Sequence, residues 1–339
     1  MNRRAIASKK LWSLVLGQRS QIWQGLNQYR WNNRLITSAL LIIVPLLVNS
    51  CNGGPSTQHL KGSTMGTFYT VTYRADIDSD KIKPILKKNL SDIEVQLSNW
   101  DKDSWISRFN QSHNINFVSI PRHAYQVLKY TLKLSTQTNQ ASDPTLGNLI
   151  NLWGFGPTKT NRLPDSQQIR EALKATGPEK LSLKDTPASI AKTHPDLQLN
   201  VSSVAKGYAS DVLARTLEQE GITDYIVNIG GEMHTSGHPE NGSSWKIAIQ
   251  KPSPDTRDGQ AHVTIQLNKA GIATSGDYRR FLEFDGQNYP HILDPETGWP
   301  VQTDLASATI IAPTSMQADG LATACLVLGL QRAQELISG

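Results

Sequence analysis

The chain has 339 residues, a formal net charge of +5 and a pI near 9.1. That length suits one large domain or two intimately packed ones. Residues 1–34 hold seven Lys or Arg and no acid, and the chain beyond residue 51 holds 27 basic against 29 acidic residues. The basic balance therefore belongs to the leader, and no nucleic-acid surface is expected.

After Arg34, LITSALLIIVPLLV is an apolar run of 14 residues. A spanning helix needs roughly 20, whereas a signal-peptide core is this short. The run ends at Val48; Asn49, Ser50 and Cys51 follow, and a small residue before a cysteine at that place resembles a bacterial lipobox. The expectation is export, with Cys51 as the lipid-bearing first residue of the mature protein. An uncleaved signal anchor or a buried N-terminal helix is the alternative. With Cys51 lipidated, Cys325 has no internal disulfide partner. The expected organisation is a leader over 1–51, a Gly/Pro-rich linker over 52–60 and one domain over 61–339.

In chain order, TFYTVTYRA (67–75) reads as a strand. Ile82, Ile85, Leu86, Leu90, Ile93 and Leu97 recur at helical spacing over 82–97. Residues 98–110, with Trp100 and Trp105, predict an ordered turn carrying an aromatic platform. A second helix spans about 121–138. Residues 141–157 read as irregular and aromatic, and 158–199 as polar and variable around a short helix near 166–175. A helix starts at Ser202 or Ser203 and stops at Gly221. DYIVNIGGEMHTSG is a strand turning at Gly230–Gly231, and WKIAIQKP and HVTIQL are two further strands. ASATIIA is another strand, and SMQADGLATACLVLG is an apolar helix ending at Gly329. Strands cluster without βαβ alternation, so the fold class is α+β with antiparallel sheets.

The stretch Gly271–Val301 concentrates polar chemistry among Gly and Pro: Ser275, Arg279, Arg280, His291 and Asp294. His291 is either a general base or a loop histidine bonded to backbone; unperturbed imidazole titrates near ~6.5. Asp319 and Thr323 are four apart and share a helix face. They offer hard oxygens to Mg²⁺, yet spacing alone favours a helix-capping role for Asp319. Asn200, Ser202, Ser203 and Lys206 gather at a helix start, which suits an anion; an ordinary cap with an exposed lysine is the simpler local reading. Trp100, Trp105, Trp153 and Phe155 either stack on a flat ring or pack a core. No zinc spacing, P-loop, G-x-G-x-x-G or G-x-S-x-G occurs.

GSTMGTFY, SNWDKDSWISRFN, DPTLGNLINLWGFGP, SSVAKGYASD, NIGGE, SGDYRRF with HILDPETG, and ADGLATA with LVLG occur in this order over about residues 60–330. Together they resemble the ApbE family, the FAD:protein FMN transferases. The resemblance implies an ApbE-like two-lobed α+β fold with a nucleotide-binding cleft. It also implies FAD as substrate, a Mg²⁺ requirement, and FMN transfer to a Thr or Ser hydroxyl with release of AMP. Implied acceptors are flavoprotein subunits of membrane or periplasmic redox complexes, reached from a lipid anchor on the periplasmic side of the inner membrane.

Carried over by motif, Met65 and Trp100 would touch FAD, with Trp100 standing where the family often has Tyr. Ala141, Ser142 and Asp143 would line the nucleotide pocket, and Lys206 and Leu293 would contact FAD. Asn200 stands where the family usually has Asp, so it brings an acceptor without charge. Asp319, the Ala322 carbonyl and Thr323 would hold Mg²⁺, with Ser203 nearby. His291 would take the proton of the acceptor hydroxyl, with Ser275 and Arg279 on the phosphate of the FMN half. The family continues after LVLG with another helix and strand, so the stop at Gly339 predicts a missing edge element. Two alternative readings use the same site: an FAD pyrophosphatase giving FMN and AMP, or a non-catalytic FAD-binding lipoprotein.

Overall fold

A computed structural model describes residues 13–14, 54–160, 162–252, 261–276, 281–284 and 286–338. Cys51 and Arg279 lie outside these residues, so the lipid-anchor and Arg279 expectations fall outside the described structure.

The first elements are β1 (Ser13–Leu14), β2 (Thr57–Thr64), β3 (Thr67–Arg74), α1 (Ser79–Leu97), α2 (Trp105–Gln111), β4 (Val118–Ser119) and α3 (Arg122–Gln137). Next come α4 (Gly147–Leu152), α5 (Ser166–Lys174), β5 (Leu181–Asp185), β6 (Ala188–Lys192) and α6 (Ser202–Gln219). The remainder is β7 (Asp224–Ile229), β8 (Glu232–Ser236), β9 (Trp245–Gln250), β10 (Ala261–Leu267), β11 (Ala270–Gly276), β12 (Phe281–Phe284), β13 (Gln287–Pro290), β14 (Ser307–Ala312) and α7 (Ser315–Ser338).

One large sheet runs in the order β1-β14-β11-β8-β7-β3-β2, with every pair antiparallel. Period-2 patterning gives it one buried face: Tyr225, Val227 and Ile229 of β7 and Ala308, Ile310 and Ala312 of β14 are buried, while their neighbours are not. Helices α6 and α7 pack together beside this sheet. Gly207 allows their close approach, because a Cβ there would meet the Ser315 carbonyl group and come within 2.8 Å of the Met316 nitrogen. The sheet and its helices form the main core, which includes Val71, Ile93, Leu128, Leu213 and Leu326. A second, smaller core joins Leu146, Leu149, Trp153, Phe155, Ile169 and Leu293. Two cores agree with the two-lobed α+β architecture expected from the resemblance.

Several local expectations are corrected. The turn expected over 98–110 contains α2, where the Ser104 hydroxyl accepts the Ser107 N–H at 3.1 Å. The irregular 141–157 segment contains α4, and the 158–199 segment contains the paired strands β5 and β6. These elements are too short to show a clear hydrophobic period. Trp105 leaves the supposed platform: it stacks on Phe109 with ring centroids 5.4 Å apart, and its indole N–H donates to the Ser119 carbonyl. Trp153 is fully buried, with its N–H donating to the Gly298 carbonyl at 2.9 Å. Gly329 does break the last helix, at φ +74°, but a second helical run follows it to Ser338. The Asp304 carboxylate accepts the Leu330 N–H at the restart. At the other end, β2 takes in residues 57–60 of the segment read as a linker.

Candidate active site

Two adjoining cavities, of about 780 and 360 Å³, share Ile150, Asn200, Ser202, Lys206 and His291 in their walls. The larger, outer cavity carries Met65, Glu94, Trp100 and Phe155. The smaller, inner one carries Ala141, Ser142, Asp143, Ser203, Glu232, Ser275, Leu293, Asp319 and Thr323. Thus residues from widely separated motifs converge around one composite space.

The inner cavity is built on α6, α7 and the ends of β8 and β11. Asp319 sits on the second turn of α7 at 2% exposure, and its Oδ2 accepts the Gly207 N–H of α6 at 3.0 Å. Burial pushes its carboxyl pKa up to about 7, against the pull of the Lys206 ammonium and with reinforcement from Glu232. One turn on, the Thr323 hydroxyl is hydrogen-bonded to Ser275 of β11, 3.1 Å away. Ala322 is fully buried and does not line the cavity.

Lys206, also on α6, pairs with Glu232 at 3.3 Å. Burial alone would lower its pKa, but the Asp319 and Glu232 carboxylates outweigh that and raise it above the ordinary lysine value. Glu232 is 5% exposed, and its Oε2 has no partner among the described residues. A Gly230–Gly231 turn, with φ of +63° and +117°, delivers Glu232 to this spot.

Asn200 spends its side-chain oxygen locally, accepting from the Ser202 N–H at 3.0 Å and hydroxyl at 2.6 Å. This turn leads the chain into α6. Asp143 is likewise engaged: its Oδ1 accepts from the Thr145 N–H at 2.7 Å and hydroxyl at 2.6 Å. Burial pushes the Asp143 pKa up, while those two hydrogen bonds oppose the shift. Ala141 and Ser142 are buried beside it.

His291 follows β13 and faces both cavities, with its ring edge-on to Phe155 at 6.3 Å. Leu293 is 3% exposed, packs in the smaller core and bridges to Pro300. Trp100 stands at the outer rim at 59% exposure, with the Lys159 ammonium 5.5 Å from its ring centre. Met65 occupies the β2–β3 turn at φ +50°, and the Glu94 carboxylate accepts both its N–H and the Thr64 hydroxyl.

The sequence model of the ApbE family matches residues 65–339. The chain belongs to the ApbE family. It is 38% identical over 311 residues to the FAD:protein FMN transferase of Haemophilus influenzae, covering 89% of this chain and 90% of that one. The FAD:protein FMN transferase of Salmonella typhimurium is 36% identical over 312 residues, 88% of each chain. Among solved structures, the flavin transferase ApbE from Vibrio cholerae superposes with a TM-score of 0.76 at 36% identity, covering 83% of this chain and 90% of that chain. The apo flavinyl transferase ApbE of Pseudomonas stutzeri gives 0.76 at 34% identity, with 84% and 88% covered.

Within this ApbE-family site, no group of three His, Cys, Asp or Glu side chains suited to a metal occurs among the described residues. Of the cavity's carboxylates, Asp143 is hydrogen-bonded to Thr145 and Glu232 is paired with Lys206, which leaves Asp319 beside the hydroxyls of Thr323, Ser275 and Ser203. All are hard oxygens. They fit Mg²⁺ in the mode that uses one or two carboxylates and takes further ligands from water and substrate phosphates. Sequence reasoning did not single out Glu94 and Glu232. The available signal for Glu232 was an acidic residue placed directly after a Gly-Gly turn, where a side chain starts a strand at a cavity edge.

Proposed function

We propose that the chain binds FAD across the two cavities and transfers its FMN half to a Thr or Ser hydroxyl of an acceptor protein. FAD:protein FMN transfer is the family's activity, and the chain is a transferase of that class. The meeting of Lys206, Asp319, Thr323 and His291 at one junction carries the residue-level reading. In it, the outer cavity with Trp100 and Met65 takes a flat ring system, and Lys206 faces the pyrophosphate. Its raised pKa keeps the ammonium charged, which suits a phosphate.

The reaction is a phosphoryl transfer, in which positioning and charge neutralisation dominate. The acceptor oxygen attacks the FMN phosphorus, the bond from that phosphorus to the bridging oxygen breaks, and AMP leaves with that oxygen. His291 takes the proton from the acceptor hydroxyl. Ser275 and Arg279 hold oxygens of the FMN phosphate. Asp319 and Thr323, with Ser203 beside them, hold Mg²⁺, which when bound neutralises charge on the pyrophosphate. Asn200 anchors the entry to α6 and carries no charge of its own.

The natural acceptors in this reading are flavin-carrying subunits of membrane or periplasmic redox complexes. Exported lipoprotein character is consistent with the ApbE family, and the basic leader and short apolar run support lipid anchoring at Cys51. No helix among the described residues is long and apolar enough to cross a membrane.

The test is co-expression with a flavoprotein subunit carrying a threonine acceptor site, read by covalent in-gel flavin fluorescence. The intact chain labels the acceptor, and Asp319→Ala abolishes labelling. His291→Ala lowers the rate by about 10²–10⁴-fold while FAD binding persists. Full labelling by His291→Ala removes the base assignment. Rapid AMP release from FAD without acceptor, and no labelling with it, replaces transfer by hydrolysis.

A further inference from the structure

The charges at the junction are arranged in a way that the transfer reaction alone does not explain. One ammonium, Lys206, shares the inner cavity with three carboxylates, Asp143, Glu232 and Asp319, of which Asp143 gives one oxygen to the Thr145 N–H and hydroxyl. Lys206 pairs with Glu232 at 3.3 Å, and no ion pair joins it to Asp319. Asp319 instead gives one oxygen to the Gly207 N–H. The backbone carbonyl of Glu232 accepts the Ser210 hydroxyl at 2.8 Å, so α6 also fixes the strand that delivers this carboxylate. Glu232 is 5% exposed, and its second oxygen is buried without a protein partner among the described residues.

Without Glu232, the Lys206 ammonium would have Asp319 as its carboxylate partner, and a neutral Lys–Asp pair attracts a divalent cation less than a lone carboxylate does. We infer that Glu232 is a positioning residue that holds the Lys206 ammonium away from Asp319, leaving the Asp319 carboxylate open to a divalent cation. The inference rests on the proposed metal role of Asp319. It assigns to Glu232 two linked effects: a fixed place for the phosphate-facing ammonium, and a net negative site for the metal.

The experiment measures Mn²⁺ binding to the purified full chain, without nucleotide, from the free-ion electron paramagnetic resonance signal. Thermal unfolding of each variant is followed in parallel. Glu232→Gln is expected to weaken Mn²⁺ binding about tenfold or more, because the ammonium turns to Asp319. Lys206→Met is expected to bind Mn²⁺ at least as tightly as the unaltered chain, an outcome that loss of structure does not produce. The double variant is expected to return to within about threefold of the unaltered chain, because the two charges cancel as a unit. Unchanged binding in Glu232→Gln, or weaker binding in Lys206→Met, overturns the inference. So does a double variant as weak as Glu232→Gln, which would make Glu232 a direct ligand. An unaltered chain that takes up no Mn²⁺ overturns the metal reading itself, and the inference with it.

Discussion

The Asp211 carboxylate of α6 accepts the backbone N–H of Ser315, the first residue of α7, at 2.7 Å. Its other oxygen accepts the Met316 N–H at 2.9 Å, and His234 of β8 lies 2.7 Å from the first. A carboxylate inside one helix thus caps the next, where free N–H groups and the helix dipole favour negative charge. Asp319 is one turn further along α7, so its position is set partly by this cap.

Asp211→Ala should therefore destabilise the fold by about 2–4 kcal/mol, through lost capping and an unpaired His234. Asp211→Asn, which keeps an acceptor, should cost less. Urea unfolding measures both, and an alanine variant within ~0.5 kcal/mol of the unaltered protein would contradict the anchoring role.

Gly207→Ala attacks the same helix pair from the packing side. The new Cβ would meet backbone atoms, with the Ser315 carbonyl carbon 2.6 Å away, and backbone cannot rotate aside. Overpacking of this kind costs about 1–3 kcal/mol. Gly207 also donates to Asp319, so flavin labelling of an acceptor should fall further than the loss of stability explains. Normal labelling in a folded variant would show that the α6–α7 spacing does not matter to the chemistry.

Trp100 offers a separable test of the outer cavity. At 59% exposure it contributes little to the core, so Trp100→Ala should leave thermal stability unchanged. Loss of ring stacking, worth about 0.5–1.5 kcal/mol, should raise the FAD dissociation constant roughly 2–12-fold. Trp100→Tyr should retain most of the affinity. Titration by flavin fluorescence quenching decides it; equal affinity in all three proteins would move the flat ring elsewhere.

Lys192 predicts a pH effect on folding. It is 1% exposed, and its ammonium donates to the Leu197 carbonyl at 3.0 Å and to the Phe109 carbonyl at 3.4 Å. Burial lowers its pKa to about 8. An unfolded lysine titrates near ~10.4, so between these values the unfolded chain binds more protons than the native one. Stability from this group therefore rises as pH increases from about 8 toward 10, by ~1–3 kcal/mol. Lys192→Met should remove that rise, and parallel urea unfolding at pH 8 and pH 10 compares the two. An identical pH dependence would place the charge in a wetter setting.

Much of this protein was legible before folding. The apolar period marked α1 and α3 because each buries a continuous stripe over several turns, whereas α6 is buried on most of its sides and was marked by its apolar residues and its stop at Gly221. Alternation marked β3, β7 and β14 because one face of the main sheet is buried. The ordered motifs named the family, and the residue types named hard-oxygen and phosphate chemistry. Local pattern failed at α2, α4 and the β5–β6 pair, where few residues carry the signal and tertiary packing sustains the element.

What only the tertiary structure decided is which polar groups share a partner. The sequence alone determined that Asp319 and Thr323 lie on one face of a helix, and left Asp319 between a cap and a metal ligand. Folding brings Gly207 to Asp319 across 112 positions and gives the cap of α7 to Asp211, 104 positions from Ser315. It sends Lys206 to Glu232, and it turns Ala322 into the core while Thr323 faces the cavity. The physical reason is that propensity and period act within a few residues, whereas buried charges are settled by whichever distant groups the packed helices and sheet bring within hydrogen-bonding reach.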